Sequence, residues 1–128
     1  MRKKPAVAIV DDDESMRDTT KDLLDSAGYP ASTFDSAQSF LASGRLSDFG
    51  CLVADMRMPG MSGLELHEHL AATGTPLPTV LVTAYPDERS RARAREAGVI
   101  CYLAKPCSPE ELLACIDTAI QGDKTERR

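Results

Sequence analysis

Short apolar runs recur along the chain at residues 6–10, 51–54, 80–82 and 99–103, with a weaker one at 31–34. They are too short for helices and do not alternate polar with apolar, so each reads as a strand buried on both faces. Between them apolar residues return with helical period. Met16, Leu23, Leu24 and Ala27 share one face, Ala37, Phe40 and Leu41 a second, Leu64, Leu66 and Leu70 a third, and Leu112, Leu113, Ile116 and Ile120 a fourth. Strands of this kind joined by helices predict an α/β fold of five strand and helix repeats, a parallel sheet doubly wound with helices on both sides. Open sheets of this class place their sites beyond the carboxyl ends of the strands.

Helix punctuation agrees with the periodicity. Gly28 and Gly98 follow helical stretches as stops, and Ser108-Pro109-Glu110-Glu111 has the form of a capping box with proline at the first helical position. The stretch QGDKTERR at 121–128 is polar and is expected to lack structure. The chain therefore divides into one domain at 1–121 and a polar tail or linker stub at 122–128.

With 128 residues and 42% hydrophobic content the chain supports one core and no second folded unit. Its formal charge of −5 argues against a surface made generally for nucleic acid or membrane. Arg89, Arg91, Arg93 and Arg95 do not change that, because a two-residue spacing spreads charge around a helix and no aromatics interleave for stacking. Met1-Arg2-Lys3-Lys4 looks like the start of a signal peptide, but the stretch at 5–10 is too short for an export signal or a membrane span, so a cytoplasmic location is expected. Cys51, Cys101, Cys107 and Cys115 show no C-x-x-C spacing and are expected to be free thiols rather than a disulfide framework. His67 and His69 stand two apart, which suits no helical metal pair, and are expected to be solvated.

The chemistry sits where the strands end. The first run delivers Asp11, Asp12 and Asp13, the run at 51–54 delivers Asp55, the run at 80–82 delivers Thr83, and the last delivers Lys105-Pro106. Alone, each aspartate reads as a helix cap or turn former, Thr83 as a turn residue and Lys105 as a solvated cation. In a parallel sheet they share one edge, and a cluster of carboxylates there needs a counter-ion. Oxygens from two strands suit a hard divalent cation, and Mg²⁺ usually takes one or two protein carboxylates while keeping waters that a phosphate can replace. Asp11, Asp12 and Asp55 supply one negative charge each; Mg²⁺ and Lys105 together balance them. Asp13 stands apart: followed by Glu14 and the periodic Met16, it reads as the cap of the first helix.

Val10-Asp11-Asp12, Asp55-x-x-Met58-Pro59-x-x-x-Gly63, Thr83-Ala84 and Lys105-Pro106 occur in register, and together they resemble the receiver domain of two-component response regulators over residues 5–121. The stretch ADMRMPGMSGLEL is most similar to receivers of the FixJ type, which are usually fused to a helix-turn-helix DNA-binding domain. The resemblance implies the flavodoxin/CheY-like (βα)5 fold with strand order 2-1-3-4-5. It implies Asp55 as phosphoacceptor from a sensor histidine kinase or phosphotransfer protein. Asp11, Asp12, Asp55 and the backbone carbonyl of Arg57 would bind Mg²⁺, or Mn²⁺ in its place. Thr83 and Lys105 would contact the phosphoryl group, a cis peptide would precede Pro106, and Tyr102 would be the switch aromatic.

Asp55 must be ionised to attack, and the acyl phosphate adds roughly one to one and a half negative charges, by analogy with other phosphorylated side chains. The fourth helix has only Ser90, Ala94 and Ala97 as its inward stripe, so it buries few methylenes at roughly 0.8 kcal/mol each and is expected to be loosely held. The segment 83–97 is therefore expected to reposition on phosphorylation, making the face of the fourth helix, fifth strand and fifth helix a homodimer surface. Arg57 and Tyr85 depart from the simplest members of the family, and their bulk is expected to flank the path of an attacking water and slow loss of the phosphoryl group.

Two rivals compete. A phosphatase of the haloacid dehalogenase class also uses a strand-end Asp, Mg²⁺, a hydroxyl and a Lys, but it wants a second Asp two residues later, where this chain has Arg57. A phosphorylation-independent adaptor would have no use for the full acid, hydroxyl and lysine set. No residue reads as contacting base edges, so any nucleic-acid contact is expected to lie outside this domain.

Overall fold

In a computed structural model of the protein, which describes residues 5–125, the strands and helices alternate from end to end. They are β1 (Ala6–Val10), α1 (Glu14–Ser26), β2 (Ala31–Phe34), α2 (Ala37–Leu41), a 3₁₀ turn (Leu46–Asp48), β3 (Phe49–Asp55), α3 (Gly63–Ala72), β4 (Thr79–Thr83), α4 (Glu88–Glu96), β5 (Cys101–Ala104) and α5 (Pro109–Thr125). All pairings are parallel and the strand order is β2-β1-β3-β4-β5, so the parallel sheet agrees with the sequence pattern and its order with what the resemblance implied.

Strand alternation divides the core into two layers. Ala8, Val10, Leu52, Ala54 and Leu81 face α2, α3 and α4 through Phe40, Leu64, Leu66, Leu70 and Ala94. Val7, Ile9, Cys51, Val53 and Val80 face α1 and α5 through Leu24, Leu112, Ile116 and Ala119. Every strand but the edges is thus apolar on both sides, as the unbroken apolar runs require. The layers are unequal in grip: α3 buries Leu64, Leu66 and Leu70, whereas Ala94 is the buried residue of α4. At roughly 0.8 kcal/mol per methylene, α4 is the more weakly docked of the two.

Local signals set the boundaries. Asp13 caps α1, its carboxylate accepting from Met16 N at 3.2 Å. Ser108 and Glu111 close the capping box of α5 with bonds of 3.1 and 3.2 Å. α4 ends in a Schellman turn: Gly98 takes φ 86°, its N–H donates to Arg95 O at 3.0 Å, and Val99 N donates to Ala94 O at 3.0 Å. That last bond keeps Val99 with the helix, so β5 begins at Cys101 and not at residue 99.

Three expectations need correction. His67 is buried rather than solvated, with Nδ1 2.7 Å from Thr79 Oγ1 and Nε2 donating to Ala97 O at 2.8 Å. His69 remains exposed, as expected. Cys101 and Cys115 are not free thiols but a disulfide, because β5 and α5 pack with their Cα atoms 6.1 Å apart; Cys51 and Cys107 are free. Finally, α5 continues through Thr125 into the stretch expected to lack structure, while residues 126–128, like 1–4, lie outside the described residues.

Candidate functional site

Parallel pairing puts the ends of β1, β3, β4 and β5 along one edge, with Val10 beside Ala54, Asp55 beside Val82, and Thr83 beside Ala104. The residues at or just past those ends carry the charge: Asp55 closes β3, while Asp11, Asp12 and Lys105 follow β1 and β5. Asp11, Asp12 and Asp55 each offer a carboxylate oxygen, and these oxygens all lie within 4.8 Å of one another. Lys105 Nζ reaches into the group, 3.1 Å from Asp11 Oδ2 and 3.5 Å from Asp55 Oδ2. The side chains of Asp11 and Asp55 are only 6% and 10% exposed, so their repulsion is poorly screened; Asp12 is on the surface.

Backbone bonds hold the acids in place. Asp11 Oδ1 accepts from Asp13 N at 3.0 Å, and Arg17 Nη1 donates to Asp11 O at 2.8 Å, fixing the turn between β1 and α1. Arg57 N donates to Asp55 Oδ1 at 3.4 Å. Gly63 is required by closeness: a Cβ there would lie 2.5 Å from Asp55 O and 2.9 Å from Leu81 Cδ2. The first turn of α3 can therefore press against the end of β3 only through a glycine. The motif spacing shows this glycine, but Arg17 gives no signal beyond lying one helical turn after Asp13.

The electrostatics show which kind of ion these residues suit. Burial, and after it the charge of Asp11, pushes the Asp55 carboxyl above its usual range despite the opposing pull of Lys105. Burial alone would pull the Lys105 ammonium down, but its bond to Asp11 and the charges of Asp11 and Asp55 outweigh this and raise it. One ammonium thus serves two buried carboxylates and leaves Asp55 reluctant to ionise. A divalent cation on the same oxygens would relieve both, and an all-oxygen donor set from two strands suits Mg²⁺.

Thr83 is fully buried at the end of β4, its Oγ1 accepting from Tyr85 N at 3.1 Å. Lys105 N donates to Thr83 O at 2.7 Å, and the peptide to Pro106 is cis, as the resemblance implied. Arg57, two residues past Asp55, and Tyr85, two past Thr83, meet each other, guanidinium carbon to ring centroid 5.4 Å. Tyr102 stands apart, half-buried against α4, with Arg91 over its ring at 4.8 Å and its hydroxyl accepting from Asp87 N at 3.3 Å. The structure therefore gathers Asp11, Asp12, Asp55 and Lys105 tightly, sets Thr83, Arg57 and Tyr85 around them, and keeps Tyr102 one layer away.

Comparison with known proteins agrees with this geometry. The family model described as the response regulator receiver domain matches residues 7–117. The chain is 39% identical over 121 residues to the transcriptional regulatory protein FixJ of Bradyrhizobium diazoefficiens, covering 94% of this chain and 59% of the relative. It is 36% identical to the response regulator protein TmoT of Ectopseudomonas mendocina, covering 90% of this chain and 52% of that one. Among solved structures, the response regulator StyR matches with a TM-score of 0.87 and 46% identity over 97% of this chain and 63% of that one. The structure titled FixJ-N matches with a TM-score of 0.84 and 30% identity over 94% and 96%. The chain spans about half to three-fifths of the length of the curated relatives it matches.

Proposed function

The chain belongs to the response regulator receiver domain family, and from that premise we propose that it is a phosphorylation-controlled switch whose phosphoacceptor is Asp55. The observation that carries this reading is the gathering of three carboxylates within 4.8 Å with Lys105 Nζ 3.5 Å from Asp55. The donor is a sensor histidine kinase or a phosphotransfer protein. The receiver unit, placed at residues 1–121 from the sequence, extends through the end of α5 at Thr125, and the output it controls is transcriptional by analogy with FixJ and TmoT. A cytoplasmic location follows from that role; among the described residues no helix is long and apolar enough to cross a membrane.

Phosphoryl transfer needs positioned charge more than covalent help. Asp11, Asp12, Asp55 and the carbonyl of Arg57 would hold Mg²⁺, which would supply positive charge to the phosphoryl oxygens and favour the ionised form of Asp55. Asp55 Oδ then attacks phosphorus in line while the donor's imidazole leaves. Lys105, already near Asp55, shifts its ammonium from Asp11 toward the new dianionic group. Thr83 turns its hydroxyl from Tyr85 N toward the same oxygens, and the weakly docked α4 moves with it.

Tyr102 reports that movement. Its hydroxyl bond to Asp87 N and its stacking under Arg91 belong to the resting position of α4, and both break when the helix shifts. The α4, β5 and α5 face then becomes a homodimer surface. Arg57 and Tyr85, in contact with each other, restrict the water that would hydrolyse the acyl phosphate. Catalysis is thus confined to the domain's own phosphorylation and dephosphorylation; a dehalogenase-type phosphatase is disfavoured because Arg57 occupies the place of the needed acid. Sedimentation with Mg²⁺ and fluoroberyllate, a phosphoryl mimic, tests the switch: a monomer should convert to a dimer. A monomer unchanged at high protein concentration would sink the reading.

A further inference from the structure

β5 is an edge strand whose successive side chains serve opposite faces of the sheet. Tyr102 faces α4, while Cys101, one residue earlier, packs in the layer of α1 and α5. There its sulfur is bonded to that of Cys115, in the middle of α5. The Cα separation of 6.1 Å lies inside the range of about 4.4–6.8 Å in which two cysteines cross-link without moving the backbone. Both residues are half-buried at the sheet edge, so a small thiol or disulfide can reach them. The other thiols compete poorly. Burial pushes Cys51 up to about 12, and burial followed by the charge of Glu111 raises Cys107.

We infer that Cys101 and Cys115 form a reversible thiol–disulfide site that clamps β5 to α5 and sets how readily the α4, β5 and α5 face rearranges. The chemistry is independent of phosphorylation; its consequence for signalling rests on the switch reading above. The oxidant is a low-molecular-weight disulfide of the glutathione class. One protein thiolate attacks a sulfur of that disulfide, forming a mixed disulfide and expelling one small thiolate. The second protein thiolate displaces the other. Two protein thiols lose two protons and two electrons, and the oxidant becomes two thiols. Reducing compartments keep such bonds transient, which suits a regulatory role and not a permanent staple.

The clamp acts on the strand that carries Tyr102. Closing a loop across 14 residues restricts the unfolded and locally opened chain, so α5 separates from β5 less often when the bond is made. Reduced, α5 is held through Leu112, Ile116 and Ala119 without the tether.

The test equilibrates the full chain in reduced or oxidised glutathione, quenches with an alkylating agent under denaturing conditions, and weighs the protein. All four cysteines should be alkylated after reduction, and all but Cys101 and Cys115 after oxidation. Cys107→Ser should protect the same pair, and Cys115→Ser should leave Cys101 alkylated. Oxidation should raise the Tm by roughly 5–15 °C and slow amide exchange in β5 and α5 about tenfold or more, with neither change in Cys115→Ser. Full alkylation of Cys101 and Cys115 in the oxidised buffer would overturn the site; equal exchange in the two states would overturn the clamp. None of these readouts uses the phosphoryl group, so they test the disulfide whether or not Asp55 accepts one.

Discussion

Lys105 donates to Asp11 Oδ2 at 3.1 Å across 94 residues of chain, closer than it comes to Asp55. Its ammonium therefore occupies charge that an incoming Mg²⁺ must share. Lys105→Met should tighten Mg²⁺ binding several-fold, since removing a cation at this distance is worth about 1 kcal/mol even with water-like screening. The same variant should lose most of its ability to hold a phosphoryl group. Titration calorimetry checks the first effect; weaker Mg²⁺ binding would contradict the assigned competition.

The raised pKa of Asp55 makes a pH prediction. The native state binds this proton more tightly than the unfolded state does, so the stability that Asp55 contributes falls as pH rises through the window that opens at its ordinary value near 3.8. Asp55→Asn cannot ionise and should raise the metal-free Tm at pH 7 by a few degrees. The advantage should shrink as pH is lowered, and it should reverse when wild type is saturated with Mg²⁺. Thermal melts across pH with a chelator present read this directly.

Neighbouring aspartates should separate cleanly. Asp12→Ala should abolish Mg²⁺-dependent phosphorylation with little change in stability, since Asp12 is exposed. Asp13→Ala removes the cap on Met16 N and should lower stability by about 1 kcal/mol while leaving phosphorylation intact. Urea melts beside a phosphorylation assay distinguish the two.

Gly63→Ala tests the close approach of α3 to β3. Its Cβ would meet backbone at Asp55 O, 2.5 Å away, which cannot rotate aside. We expect a loss of about 1–3 kcal/mol in urea melts and slower phosphorylation, because the displaced element carries Asp55. A variant as stable as wild type would show that α3 can retreat freely.

Arg57→Ala removes the guanidinium that lies 5.4 Å from the Tyr85 ring and tests the proposed shielding of the acyl phosphate. Dephosphorylation should accelerate several-fold with the phosphorylation rate little changed. An unchanged decay of the acyl phosphate would leave Arg57 no part in shielding it.

Much of this was legible in the sequence because topology turns strand ends into neighbours: once the apolar runs are strands of one parallel sheet, Asp11, Asp55, Thr83 and Lys105 must share an edge. Asp13 and Ser108 were legible because caps are local. His67 was not, since helical spacing gives a direction but no depth, and the partners of His67, Thr79 on β4 and Ala97 at the end of α4, come from distant segments. Nor was the Cys101 and Cys115 bond, which depends on how closely α5 lies against an edge strand. A spacing of 14 residues carries no such distance.

The switch stands or falls on whether Asp55 accepts the phosphoryl group with metal held by its neighbours. Acetyl phosphate and Mg²⁺ added to wild type, Asp55→Asn and chelator-treated wild type, each followed by intact mass and peptide mapping, decide this. One added phosphoryl group is expected, on the peptide containing Asp55, in untreated wild type alone. Equal modification of Asp55→Asn, or modification undiminished by the chelator, would contradict it.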